Sequence, residues 1–135
     1  MRTRKFIPQA EWEDERQQLG LAGEQEALAW FTANGWSIEA HRFKLGRYDL
    51  DLVVRKGSQV AFVEVKTRRT DTCGTPLEAV GRQKRERLGR VAALWCLRFG
   101  RPGDSYRFDL VGVTPTRSGG MVVEHVPDAW RLGEW

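Results

Sequence analysis

Tyr48-Asp49-Leu50-Asp51-Leu52-Val53-Val54-Arg55, then Lys56-Gly57-Ser58, then Gln59-Val60-Ala61-Phe62-Val63-Glu64-Val65-Lys66, is the stretch that decides the fold. Two apolar, β-branched runs flank a glycine-containing turn, which predicts a β-hairpin. Period two puts Asp49, Asp51 and Val53 on one face of the first strand, and Leu50, Leu52 and Val54 on the other. In the second strand Val60, Phe62, Glu64 and Lys66 share a face, opposite Ala61, Val63 and Val65. Each strand thus has one fully apolar face and one that turns from apolar to charged.

Upstream, residues 1 to about 16 read as a polar, flexible extension with Arg2, Arg4 and Lys5 at its tip. A helix is expected from Gln17 to Asn34, with Ala27, Leu28 and Phe31 at helical spacing and Gly35 as its left-handed stop. A strand over Trp36–Phe43 and a turn at Lys44–Arg47 lead into the hairpin. Downstream, a polar loop over Arg68–Pro76 precedes a helix from Leu77 to Phe99, which Gly81 and Gly89 weaken. Tyr106–Val113 and Met121–Val126 read as two more strands, and Asp128–Leu132 as a short terminal helix. The order αβββαββ describes an α/β (α+β) domain, a mixed sheet flanked by helices, over residues 17–135.

Composition bounds the rest. A chain of 135 residues with 41% hydrophobic content suits one domain with one core. Cys73 and Cys96 lie far apart in sequence, and His41 and His125 sit apart from them and from each other, which argues against a zinc site and for reduced thiols. There is neither an apolar signal-like run near the amino terminus nor a membrane-length apolar stretch, so the expected location is the cytoplasm, with no membrane partner. The net charge of +4 permits attraction to phosphate backbones without requiring it.

The charged positions carry the chemistry. A four-residue connection, Lys56–Gln59, would pair Arg55 with Val60 and set Asp51 opposite Glu64; a two-residue connection would set Asp51 opposite Phe62, still on Glu64's face. Carboxylates paired directly across a sheet lie about 4.5–5.5 Å apart at Cβ. They repel unless a cation sits between them. Lys66 supplies one positive charge and a divalent metal would supply more. Paired oxygen ligands favour magnesium or manganese. Glu24 shares the apolar stripe of the first helix, and Lys84 that of the second, so both are expected to face inward. The bland alternatives are an exposed charge cluster on a half-solvated sheet, a surface Glu24 and a snorkelling Lys84. Asp109 reads as a structural partner of Arg107. The stretch Arg82–Arg90 is either a solvated face or a phosphate-binding stripe. Trp30, Trp36 and Trp95 read as core.

At these residues the chain resembles the PD-(D/E)xK nuclease superfamily. Within it, the chain is similar to the YraN-like family of predicted endonucleases, itself distantly similar to archaeal Holliday-junction resolvases. Gly20-Leu21-Ala22-Gly23-Glu24 matches the family's helical Gly-x-x-Gly-Glu. Tyr48-Asp49-Leu50-Asp51-Leu52 matches its strand aspartate, and Phe62-Val63-Glu64-Val65-Lys66-Thr67-Arg68 its Phe-Val-Glu-Val-Lys-x-Arg. Lys84 and Arg107-Phe108-Asp109 also fit, so the resemblance covers roughly residues 17–130. The chain departs from the pattern at Tyr48-Asp49, where the family has Gly-Glu, which leaves Asp49 a doubtful accessory.

The resemblance implies a restriction-endonuclease-like fold and metal-dependent phosphodiester hydrolysis of nucleic acid, with structured or branched DNA as the expected substrate. It implies catalytic roles for Asp51, Glu64 and Lys66, and magnesium or manganese held by Asp51, Glu64 and the Val65 carbonyl, with Glu24 completing the shell. Arg68, Arg69 and Lys84 would meet phosphates. Resolvase-like enzymes often act as dimers, so a homodimer is compatible with it. Two other readings stand beside this one: a binding module that holds nucleic acid without cutting, and a structural protein in which Asp51, Glu64 and Lys66 form a buried ion network.

Overall fold

Helix α1 (Gln9–Ala33) leads into strands β1 (Ser37–Leu45), β2 (Tyr48–Lys56) and β3 (Gln59–Thr67). Helix α2 (Arg82–Phe99) then precedes β4 (Ser105–Pro115) and β5 (Met121–Trp130). The structure is a computed structural model that describes residues 9–68 and 80–131, the first five of these as backbone alone. Its strands form one sheet in sequence order. Neighbours are antiparallel except β3 and β4, which are parallel. A parallel pair needs a long crossover between its strands, and α2 lies in that crossover.

Each face of the sheet is covered by one helix. On one side Leu88, Val91 and Trp95 of α2 pack on Val53, Val60, Phe62, Phe108 and Leu110. On the other, Ala27 and Phe31 of α1 pack on Leu52, Val54, Ala61, Val63, Val111 and Val113. Burial on both faces explains why the central strands are almost continuously apolar. Trp95 is core, and Trp30 and Trp36 pack half-buried against the α1-side cluster.

Helix α1 stops where the sequence predicts. Gly35 takes φ 85°, its N–H reaches the Thr32 carbonyl at 3.2 Å, and the Trp36 N–H reaches that of Phe31 at 3.0 Å. This is a Schellman ending, and the Trp36 ring closes it edge-on against Phe31.

Three expectations are corrected. First, α1 begins at Gln9, so residues 9–16 belong to the helix and not to an extension; residues 1–8 lie outside the described residues. Second, the expected helix over 128–132 is strand as far as Trp130. Asp128 adopts φ 49° at an irregularity in the β4–β5 pairing, and beyond it Trp130 pairs with Phe108. Third, Leu50 packs with Val53 on the α2 side instead of sharing the face of Leu52. Arg42, between the pairs His41↔Leu52 and Phe43↔Leu50, takes φ 57°, and the strand's alternation breaks there. The helix expected from Leu77 also starts later, at Arg82: Val80 and Gly81 are not helical, and Gly81 is its N-cap in an extended conformation. Cys73, Pro76 and Leu77 lie outside the described residues, as does all of the expected polar loop except Arg68. Among the described residues no helix is long and apolar enough to cross a membrane.

An ionic lock closes one end of the sheet. Arg55 is buried near the end of β2, and its guanidinium makes a bidentate pair with Asp104 at 2.6 and 2.8 Å and a further bond to Glu39 at 2.5 Å. Asp104 also accepts the Arg101 N–H at 2.8 Å. Arg55 holds the Asp104 carboxyl below its ordinary value, at about 2. A depressed carboxyl pKa adds stability above the unfolded value, and that stability is lost as pH falls through the folded one. Stability should therefore drop between about pH 4 and pH 2, and Asp104→Asn should weaken the protein at neutral pH and flatten this acid limb. Denaturant titrations across that range check both.

Candidate functional site

At the opposite end of β2 and β3 the hairpin forks. Pairing runs from Lys56↔Gln59 through Arg55↔Val60 to Leu52↔Val63 and stops there, one step before Asp51 would face Glu64. This is the register that opposes the two carboxylates. Beyond that point β2 stays with β1, while β3 stays with β4 as far as Thr67↔Val113. Asp51 bridges the gap, its Oδ2 accepting the Val65 N–H at 2.7 Å. A strand residue sends its N–H and C=O toward the same neighbour, so the Val65 carbonyl faces the fork as well.

The fork opens into a cavity of about 490 Å³ lined by Arg16, Glu24, Asp51, Glu64, Val65 and Lys66, among others. Helix α1 closes one side of it. Arg16, Gly20 and Glu24 recur every four residues, so they share one helix face. The approach is close at Gly23, where an added Cβ would collide with the Thr67 hydroxyl. Glycine is required there by proximity to β3. Helix α2 reaches the site from the other face of the sheet through Lys84, whose Nζ lies 2.5 Å from Glu64 Oε1.

Acids and cations are interleaved here. Burial, the nearby Glu64, and then Glu24 and Asp49 push the Asp51 carboxyl up to about 8, against the opposing effect of the Val65 N–H. Burial and the neighbouring Lys84 hold Lys66 below the ordinary lysine value. Burial opposes charge on Lys84 too, but Glu64, Lys66 and Asp51 together outweigh it and raise this lysine. Glu24 is engaged as well: its Oε2 accepts from Arg42 Nε and Nη2 at 3.1 and 3.0 Å and lies 3.0 Å from His41 Nε2. Among the described residues no three acidic, imidazole or thiol groups stand grouped to hold an ion. Both glutamates are instead turned to cations.

Glu24, Asp51, Glu64, Val65 and Lys66 border one cavity, with Lys84 as a direct partner of Glu64. Asp49 does not line the cavity; it pairs with Lys44 across β1 and acts on Asp51 only through its charge. Arg68 leaves β3 half-buried, with its N–H on the Val113 carbonyl at 2.9 Å. Arg69 lies outside the described residues. Asp109 belongs elsewhere, fully buried and held by Arg107 Nη2 at 3.0 Å, His125 Nε2 at 2.7 Å and the Asp128 N–H at 3.0 Å. Within Arg82–Arg90, Arg87 lies over Tyr48 and Arg85 over Trp130, while Arg82 and Arg90 are exposed. Sequence reasoning missed Arg16, His41 and Arg42. The helical spacing of Arg16 with Glu24 was a usable signal, whereas the left-handed turn at Arg42 left none.

A family profile described as Uncharacterised protein family UPF0102 matches residues 23–113, from the α1 glycine through β4. The chain belongs to this family. UPF0102 is the YraN-like family whose motifs the sequence resembles. The chain is 35% identical to a UPF0102 protein of Leifsonia xyli subsp. xyli, over 83% of its own length and 95% of the relative's. It is 39% identical to one from Symbiobacterium thermophilum over the same shares. A third, from Beutenbergia cavernae, is 40% identical over 80% of this chain and 92% of the relative. The UPF0102 match begins at Gly23 and takes in Glu24, Asp51, Glu64, Lys66 and Lys84.

Two predictions follow from the packing and charge of the site. Gly23→Ala should cost about 1–3 kcal/mol, because α1 must move off Thr67; thermal unfolding measures the loss. Asp51 is raised in the fold relative to the unfolded chain, so its contribution to stability is lost as pH rises toward about 8. In chelator, the parent's unfolding free energy should fall from about pH 4 to pH 8, and Asp51→Asn should remove that slope.

Proposed function

We propose that this UPF0102 protein is a divalent-metal-dependent nuclease that hydrolyses phosphodiester bonds, with structured or branched DNA as its substrate. The observation that carries the reading is the convergence of Asp51, Glu64 and Lys66, from two strands that part company at that point, on one cavity bordered by Glu24. The donors are all oxygen: three carboxylates and the Val65 carbonyl. Such a set suits magnesium or manganese better than zinc. Asp51, Glu64 and the Val65 carbonyl would hold the ion, with Glu24 directly or through water. The ion would supply a water nucleophile at neutral pH and neutralise charge on the scissile phosphate.

The chain's own groups do the remaining work. Lys66 borders the same cavity as the acids and, as an ammonium, stabilises the oxyanion that develops on phosphorus. Arg16 on α1 and Arg68 at the end of β3 supply positive charge for the nucleic-acid backbone, which positions substrate without reading its sequence. The net charge of +4 favours the approach of a polyanion.

A second reading has an observation of its own. Glu24 and Glu64 are both already ion-paired, as in a structural network that binds no metal. Single strands, duplexes, flaps and four-way junctions incubated with magnesium or manganese separate the readings. The parent should cleave at least one of them, and Asp51→Asn and Lys66→Ala should lose about 100-fold or more in rate while staying folded. Equal activity in parent and both variants would trace the cutting to a contaminant. Salt-dependent binding without products would indicate a holding module.

A further inference from the structure

We propose that Lys84 is the resident counter-ion of the acidic site, holding Glu64 in the resting protein and yielding it to an entering magnesium or manganese ion. The released ammonium is then available to the phosphate of the substrate. The inference rests on the metal-dependent reading above and adds an exchange of partners to it.

Burial decides which member of the pair moves. The Glu64 side chain is 6% exposed and fixed within β3, whereas that of Lys84 is 39% exposed on a long flexible stem. The ammonium can swing toward solvent while keeping its methylenes on the protein, and the carboxylate cannot leave. Lys84 is also poorly placed for its own helix. It sits in the first turn of α2, beside Arg82 and Arg85, with no acid in that turn and no side-chain cap at Gly81. The amino-terminal end of a helix carries partial positive charge and disfavours cations. Glu64 is what compensates Lys84 there. A divalent ion outcompetes one ammonium for that carboxylate, and the end of α2 then presents a free ammonium together with its own positive pole, a pairing suited to phosphate.

Glu24 follows a different rule. It is held by a bifurcated guanidinium contact from Arg42 and by His41, on the other side of the cavity. The exchange therefore belongs to Glu64 and Lys84 alone.

Calorimetric titration of the full chain with Mn2+ tests the proposal, using the parent, Lys84→Gln, Arg82→Gln and Asp51→Asn. Lys84→Gln should bind about tenfold more tightly than the parent. Arg82→Gln removes a cation from the same turn without touching Glu64 and should stay near the parent. In chelator Lys84→Gln should be less stable than the parent, and Mn2+ should restore it. Should that variant fail to fold, the parent alone still decides: side-chain NMR of Lys84 should change from restricted to mobile on saturation with Mg2+. Equal affinity in parent, Lys84→Gln and Arg82→Gln, with binding abolished in Asp51→Asn, overturns the exchange and leaves the metal site standing. So does an unchanged Lys84 signal in Mg2+-saturated parent. Absence of Mn2+ binding in both the parent and Lys84→Gln overturns the exchange and the nuclease reading together.

Discussion

The bond from the Val65 N–H to the Asp51 carboxylate stands where a backbone ladder bond would otherwise be, and the arrangement of the site follows from it. A buried strand N–H needs an acceptor. Because a side chain provides one, β2 can leave β3 at Leu52↔Val63 without orphaning the donor. The opening places two carboxylates, a backbone carbonyl and an ammonium around one space while most of the sheet remains paired. The constraint also explains the position of Arg42. For β1 to follow β2 away from β3, its backbone must turn sharply, and the left-handed residue beside Asp51 makes that turn.

The two ends of the hairpin carry opposite kinds of electrostatics. At the turn end, Arg55 is compensated by Asp104 and Glu39, a closed group that joins β2, β1 and the α2–β4 connection. At the open end, Asp51 is left without a cation of its own, and burial together with the neighbouring Glu64 raises its pKa. Structural ion groups are satisfied within themselves, whereas displaced titration beside a cavity marks candidates for chemistry. Asp109 illustrates the difference. It is buried as deeply as any residue of the core, yet an arginine, a histidine and a backbone N–H all turn to it, and it does not border the cavity at the fork.

Much of this was legible in the sequence because period and spacing are local. The hairpin, its register at Arg55↔Val60, the Gly35 stop and the inward carboxylates follow from alternation, a short turn and helical repeat. What could not be read depends on contacts between distant segments. The face of Leu50 turns on a backbone reversal in a different strand. The start of α1 at Gln9 lies in a charged segment with little apolar signal. The last residues of β5 read as a helix because Pro127 and Asp128 are turn formers, but β4 provides a partner for Trp130 and the strand resumes after the irregularity. The partner of Glu64 was hidden for the same reason: Lys84 was visible as an inward lysine, and only the packing of α2 on the sheet shows which acid it meets.

Both outer strands carry a left-handed residue, Arg42 within β1 and Asp128 near the end of β5. A flat rim of unpaired amides is an invitation to strand addition by another molecule, and bends of this kind interrupt the row that such addition needs. The reversal that aims Arg42 at Glu24 thus has a second effect at the margin of the sheet. It breaks the template along which copies of the chain could zip together edge to edge, so the same distortion that shapes the acidic fork also guards the protein against aggregation.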